Sequence, residues 1–133
     1  VDNLEVHNFY STHNVDLFIN VSISEGLPIS IVEAMSYGIP VIATDVGGTS
    51  EIVNSTNGYL VKRDITGREI QTIIKHYVHL SLEEKQKMHL TARKTWEKKF
   101  NSEMTLSEYY MNLINMMKSI HVHQENKDDK KEN

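Results

Sequence analysis

The sequence predicts an α/β fold, with a parallel sheet in its first half and helices in its second. From Val15 to Val61, short β-branched runs alternate with glycine-containing turns and helical segments. From Ile65 to Ile120 the apolar spacing is helical, with one glycine and no proline. Strands that alternate with helices favour parallel pairing through crossover connections, so the first half is expected to form the sheet.

The first half contains six predicted elements. The run from Val15 to Val21 is almost continuously apolar, which is typical of a strand buried on both faces. Pro28 suits the first turn of a helix, because a backbone N–H at that position would have no acceptor within the helix and proline lacks this group. Thr49 or Ser50 can cap a short helix. In chain order the elements are a helix over Asn3–His13, a strand over Val15–Val21, a helix over Pro28–Tyr37 that stops at Gly38, a strand over Pro40–Thr44, a short helix over Ser50–Val53 and a strand over Gly58–Val61.

The second half predicts three helices. The first covers Thr66–Leu80 and the second Ser81–Lys99, where Ser81 and Glu84 form a capping-box pattern. The third begins at Asn101 or Ser102 and reaches about Ile120. Residues 121–133 are polar and charged, so we expect a disordered tail after a single partial domain over residues 1–120. The helix predicted over Thr66–Leu80 has an apolar face formed by Ile70, Ile73, Ile74 and Tyr77.

Composition excludes several classes of function. A net charge of −4 without a basic stripe argues against nucleic acid as a partner. The absence of cysteine excludes disulfides and thiolate metal sites. The seven histidines lack carboxylate partners at ligand spacing, so neither a metal site nor a cofactor is expected. No apolar run approaches the roughly 18 residues of a membrane span.

The segment from Ser24 to Pro40 is the candidate site. It leaves the carboxyl end of a predicted parallel strand, where open α/β sheets bind ligands. It then enters a helix, whose N-terminus offers free N–H groups and a partial positive charge to a phosphate. Gly26 allows a ligand to approach the backbone closely.

Two carboxylates frame this segment, Glu25 in the loop and Glu33 in the helix. Carboxylates accept hydrogen bonds from the paired hydroxyls of a sugar, and a charge in an apolar helix needs a partner. Alternatively, both carboxylates are simply solvated, as most charged residues are. Gly47 and Gly48 form either a second ligand-contacting loop or a plain turn. The residues alone leave both questions open.

A resemblance bears on these alternatives. The segment from Val15 to Val61 resembles the C-terminal domain of the family 4 retaining glycosyltransferases, also called glycosyl transferase group 1. The family's two glutamates, separated by seven residues, match Glu25 and Glu33. The motifs that carry the resemblance are Asp16–Ile19, Ser24–Pro28, Val32–Met35, Gly38–Thr44, Gly47–Gly48, Glu51–Val53 and Gly58.

This resemblance implies a GT-B enzyme, in which two Rossmann-like domains enclose the active site. Such enzymes transfer a sugar from a nucleotide sugar to a saccharide or lipid-linked acceptor with retention of configuration and without a structural metal. It implies that Glu33 binds the ribose and that Glu25, beside the donor sugar, is the catalytic candidate. It also implies donor-binding roles for the backbone of Gly26, Leu27 and Pro28, and for the cleft loop of Gly47 and Gly48.

The chain departs from the family in what precedes Val1. The Arg and Lys expected to hold the diphosphate, and the N-terminal acceptor domain, are missing, so we expect an inactive donor-binding half. An uncovered sheet edge invites self-association. Family habit implies a cytoplasmic enzyme, membrane-peripheral at full length. The alternatives are a sugar-nucleotide epimerase of the same architecture and a non-catalytic interaction module.

Overall fold

The computed structural model describes residues 3–23 and 28–100, together with Met111 and Asn115, which are helical. It confirms the α/β fold, a parallel sheet followed by C-terminal helices. The predicted third C-terminal helix, apart from these two residues, and the predicted tail over residues 121–133 lie outside the described ranges. The elements are α1 (Asn3–Thr12), β1 (Phe18–Asn20), α2 (Ile29–Ser36), β2 (Val41–Thr44), a 3-10 helix (Thr49–Glu51), β3 (Gly58–Val61), α3 (Gly67–Val78) and α4 (Leu82–Phe100).

The sheet has the order β1-β2-β3, and both strand pairs are parallel. In its register Ile19 lies beside Ile42, which lies beside Tyr59. All four residues of the central strand β2 are buried. Because the strands are parallel, the segments that follow β1, β2 and β3 all leave the same edge of the sheet.

The main core lies between one face of the sheet and the helices α2 and α4. The side chains of Trp96 and Tyr10 pack against its margin, and Phe100 is buried within it. The core consists of Ile31, Val32, Ala34, Met35, Ile39, Val41, Ala43, Ile52, Val53, Ala92 and Phe100.

The prediction for the first strand was wrong in two respects. The strand covers only Phe18–Asn20, and Ile19 is 42% exposed instead of buried. Within the described residues β1 is an edge strand, and Ile19 points to the face opposite α2. On that face α3 reaches Tyr59, whose ring contacts His76, but leaves Ile19 partly uncovered. A continuous apolar run therefore did not guarantee burial on both faces.

The helix α2 ends where the sequence predicted, at Gly38. The Gly38 N–H donates to the Met35 carbonyl at 2.9 Å, and the Ile39 N–H donates to the Ala34 carbonyl at 3.1 Å. These paired bonds form a Schellman motif, which places its glycine in the left-handed region. Gly38 accordingly has a φ of 68°. The end of α2 is thus defined by local backbone geometry.

The helix starts were predicted with mixed success. The capping box at Ser81 and Glu84 is confirmed, with reciprocal hydrogen bonds of 2.8 and 3.1 Å. A second capping box, between Thr66 and Glu69 at the start of α3, was not foreseen. The predicted cap by Thr49 or Ser50 was wrong, because the short helix is a 3-10 turn that begins after Gly48 without a side-chain cap.

Candidate functional site

A network of four polar side chains occupies the carboxyl end of the sheet. The Asn20 amide at the end of β1 donates to the Ser30 hydroxyl in the first turn of α2, at 3.2 Å. The Asn20 side-chain oxygen accepts from the Ser22 hydroxyl at 2.7 Å. The Thr44 hydroxyl, at the end of β2, donates to the Ser22 carbonyl at 2.6 Å. We call Asn20, Ser22, Ser30 and Thr44 the strand-end network.

This network anchors the chain on both sides of the predicted sugar-binding loop. Ser22 precedes the loop, and Ser30 lies just beyond Pro28, which is fully buried. The predicted site residues Glu25, Gly26 and Leu27 lie outside the described residues, but the segments that flank them are held at the carboxyl end of β1. The sequence predicted the loop at this end of the sheet. The positions of Ser22 and Ser30, on either side of the loop, agree with that prediction.

The start of α2 can offer backbone donors to an anion. Pro28 is its N-cap residue, and no side chain caps the helix there. The first intrahelical bond runs from the Val32 N–H to the Pro28 carbonyl, at 3.1 Å. The N–H groups of the first helical turn have no intrahelical acceptor, and the helix dipole adds partial positive charge. These properties suit a phosphate group.

Glu33 lies in the middle of α2. Its sequence neighbours Val32 and Ala34 are fully buried, whereas Glu33 is half-buried. Burial, and secondarily the negative charge of Glu33, raises the pKa of Tyr10 on α1. Within residues 3–23 and 28–100, no group donates a hydrogen bond to this carboxylate. A half-buried carboxylate without a donor is suited to accept hydroxyl groups from a ligand.

The loop with Gly47 and Gly48 follows β2. Gly47 is exposed and has a φ of 55°, while Gly48 is buried and precedes the 3-10 helix. The hydroxyl of the next residue, Thr49, is buried and makes no hydrogen bond within the described part of the chain. Parallel pairing of β1 and β2 brings this loop to the same sheet edge as the strand-end network.

Of the described predicted residues, Pro28, Gly47 and Gly48 follow the carboxyl ends of strands, whereas Glu33 lies further along α2. Pro28 and Glu33 come from α2, and Gly47 and Gly48 come from the loop after β2. Sequence reasoning missed the strand-end network. Its signal was nevertheless present, because Asn20 and Thr44 are polar residues at the ends of apolar runs that predict strands. Their partners Ser22 and Ser30 could be identified only from the fold.

Other candidate features of the sequence do not join this site. The basic side chain of Lys62 pairs with Glu69 at 2.9 Å. No three His, Cys, Asp or Glu side chains in the described ranges could hold a metal ion together. Of the helices described, none has the length and apolarity needed to cross a membrane.

Comparison with known proteins places this site in a family. The profile of the family described as "Glycosyl transferases group 1" matches residues 1–95. O-antigen biosynthesis glycosyltransferase WbnH from Escherichia coli is 44% identical over 75 residues, which are 55% of this chain and 22% of that protein. N-acetyl-alpha-D-glucosaminyl L-malate synthase from Bacillus anthracis is 32% identical over 99 residues, which are 71% of this chain and 24% of that protein.

A solved structure shares the fold. Sucrose-phosphate synthase from Thermosynechococcus elongatus superposes with a TM-score of 0.67 at 19% identity, over 95% of this chain and 29% of that one. The chain therefore spans between a fifth and a third of the length of these proteins. The family match covers more than half of the chain, including the strand-end network, Glu33 and the Gly47–Gly48 loop. The chain belongs to the family of glycosyl transferases group 1.

Proposed function

We propose that the chain is the donor-binding part of the C-terminal domain of a family 4 retaining glycosyltransferase with GT-B architecture. In this proposal the enzyme transfers a sugar from a nucleotide sugar to a saccharide or lipid-linked acceptor. The observation that carries the proposal is Glu33, a half-buried carboxylate to which no described residue donates a hydrogen bond. It lies on a helix whose start is at the ligand-binding edge of a parallel sheet.

Each part of the site has a role in this proposal. The Glu33 carboxylate accepts hydrogen bonds from the ribose hydroxyls, which supply the donors that the described residues do not. The uncapped start of α2 receives the diphosphate. Gly47 and Gly48 present backbone to the donor at the next strand end. The strand-end network holds α2 and its preceding loop against β1 and β2.

The remaining features of the proposal concern the whole protein. The relatives named for O-antigen biosynthesis support a saccharide or glycolipid acceptor, and we propose a cytoplasmic, membrane-peripheral site of action. We attribute the catalytic role to Glu25 on the basis of its position in the matched motif. Retention would be tested by the anomeric proton coupling of the product formed from an α-linked donor.

An NMR titration tests donor binding directly. The ¹⁵N-labelled 133-residue chain is titrated with UDP, GDP and their glucose derivatives. We expect the largest amide shift changes at Ser30, Glu33 and Gly48, with Val78 near the amino ends of the strands as an internal reference. Saturable shifts at these positions support the proposal. Uniform or absent shifts with every nucleotide would reject it, and changes centred on α3 would place the ligand elsewhere.

A further inference from the structure

Several contacts join α4 to the end of α2 that is remote from the proposed donor site. Its first turn has no side-chain cap. At its other end, the Schellman motif at Gly38 packs against the backbone of α4: a Cβ at Gly38 would lie 3.2 Å from the His89 carbonyl oxygen. The two helices therefore meet backbone to backbone at this point.

The Arg93 side chain of α4 makes a polar contact at the same end. Its guanidinium donates a hydrogen bond from Nη1 to the Ser36 carbonyl, in the last turn of α2. The terminal carbonyls of a helix lack intrahelical donors and carry partial negative charge, so a cation there is favourable. The Ser36 hydroxyl in turn donates to the Glu33 carbonyl, at 2.6 Å. Arg93 thus contacts the turn of α2 that carries Glu33.

The guanidinium is itself held in place by two neighbours on α4. Its Nε donates to the Glu97 carboxylate at 2.9 Å, and its Cζ lies over the ring of Trp96, 4.7 Å from the ring centroid. Trp96 packs against the main core. Arginine can make these contacts at once because its planar group offers several donors and a stacking face, whereas lysine offers a single charged point.

We propose that Arg93 is a positioning residue for Glu33. Arg93 acts by fixing the orientation of α2 relative to α4. The proposal rests on the donor-binding function proposed above. Small displacements of a binding group are costly, because an error of about 1 Å at a reacting or binding atom can reduce rates a hundredfold. Arg93 contacts no ligand in this proposal, and its influence on the nucleotide passes entirely through α2.

The test compares the variants Arg93→Ala and Arg93→Lys of the 133-residue chain. Lys94→Ala is the matched control, since Lys94 is an exposed cation on the same helix. Thr66→Val is the control for stability alone, because it removes a 3.2 Å capping hydrogen bond at the start of α3. Residual dipolar couplings report the orientation of α2 relative to α4 without ligand, calorimetry gives the UDP dissociation constant, and urea unfolding gives stability.

We expect Arg93→Ala to change the couplings of α2 and to raise the dissociation constant roughly tenfold. Arg93→Lys should recover part of both effects, and neither control should change them. If Arg93→Ala lowers stability alone, as Thr66→Val does, the proposal is overturned. If the unsubstituted chain binds no nucleotide, the donor-binding function fails, and the couplings still decide whether Arg93 orients α2.

Discussion

The side-chain amide of Asn20 donates a hydrogen bond to the hydroxyl of Ser30, at 3.2 Å. This bond joins the last residue of β1 to the first turn of α2, across the loop that contains Glu25, Gly26 and Leu27. The strand end and the helix start are consequently held together beside the proposed donor site.

Replacing Glu33 should weaken nucleotide binding. The loss of a hydrogen bond to a charged group costs about 1.5–3 kcal/mol, so Glu33→Ala should raise the UDP dissociation constant by about tenfold or more. Isothermal titration calorimetry on the 133-residue chain measures this change. Glu83→Gln serves as the control, since Glu83 is an exposed carboxylate on α4. An unchanged dissociation constant for Glu33→Ala would contradict the proposal that Glu33 binds the ribose hydroxyls.

Replacing Glu25 should affect turnover more than affinity. We expect Glu25→Gln to bind free UDP almost as tightly as the unsubstituted protein, because in the proposal Glu25 lies beside the donor sugar and Glu33 binds the ribose. Loss of an electrostatic contact to the reacting sugar typically lowers turnover about a hundredfold or more. The measurement is released nucleotide per unit time in a preparation that transfers sugar. Equal losses of nucleotide affinity for Glu25 and Glu33 variants would contradict this division of roles.

A side chain at Gly58 should destabilise the sheet. A Cβ there would lie 2.3 Å from the carbonyl oxygen of Val41, a backbone atom that cannot rotate away. We expect Gly58→Ala to lower the free energy of unfolding by about 3 kcal/mol or to prevent folding. At Gly67 a Cβ would meet no atom within 4 Å, so Gly67→Ala should be neutral or stabilise by roughly 0.5 kcal/mol. Equal urea midpoints for the two variants would refute the close approach of β2 and β3.

The start of α3 should lose stability in acid. A hydrogen bond from the Thr66 backbone, followed by one from the Lys62 side chain, lowers the pKa of Glu69 from 4.5 to about 2. Since the folded pKa lies below the unfolded one, this carboxylate stabilises the fold above pH 4.5, and the contribution is lost as the pH falls towards 2. Glu69→Gln should therefore be less stable at neutral pH, with a difference that shrinks in acid.

Two measurements check this prediction. Urea unfolding over a series of pH values should show the difference between the two proteins narrowing below pH 4.5. The ¹³C shift of the Glu69 carboxyl should titrate near 2. The capping bond and ion pair would be absent in solution if Glu69 titrated like an unfolded glutamate.

The edge at β1 should support self-association, which we propose as a property of the isolated chain. Ile19 is 42% exposed and Ile23 is 71% exposed, next to a strand edge that no described strand covers. A lysine on an edge strand opposes pairing with another chain. Ile19→Lys should therefore reduce the associated fraction in sedimentation velocity, whereas Leu90→Lys, on the exposed side of α4, should not. A chain that is monomeric at all concentrations would contradict the proposal.

The sequence by itself determined the order and approximate bounds of the described elements, because the signals for them are local. Gly38 ends α2 through backbone geometry within a few residues, and Ser81 starts α4 through a bond to its own first turn. The same holds for the motif around Glu33, whose place in α2 follows from helical spacing. Tertiary structure decided which surfaces these elements bury. Ile19 is exposed because burial depends on which neighbour covers a strand.

The candidate site divides in the same way. Glu33, Pro28 and the Gly47–Gly48 loop could be identified from the chain because each follows from a motif or a turn. The contacts of Asn20 with Ser30, Thr44 with Ser22 and Arg93 with Ser36 could not, since they join residues 10 to 57 positions apart. No local pattern encodes such pairs, because their approach depends on how the helices pack on the sheet. The sequence thus determined which groups can bind a donor, and only the packed fold determined how they are held.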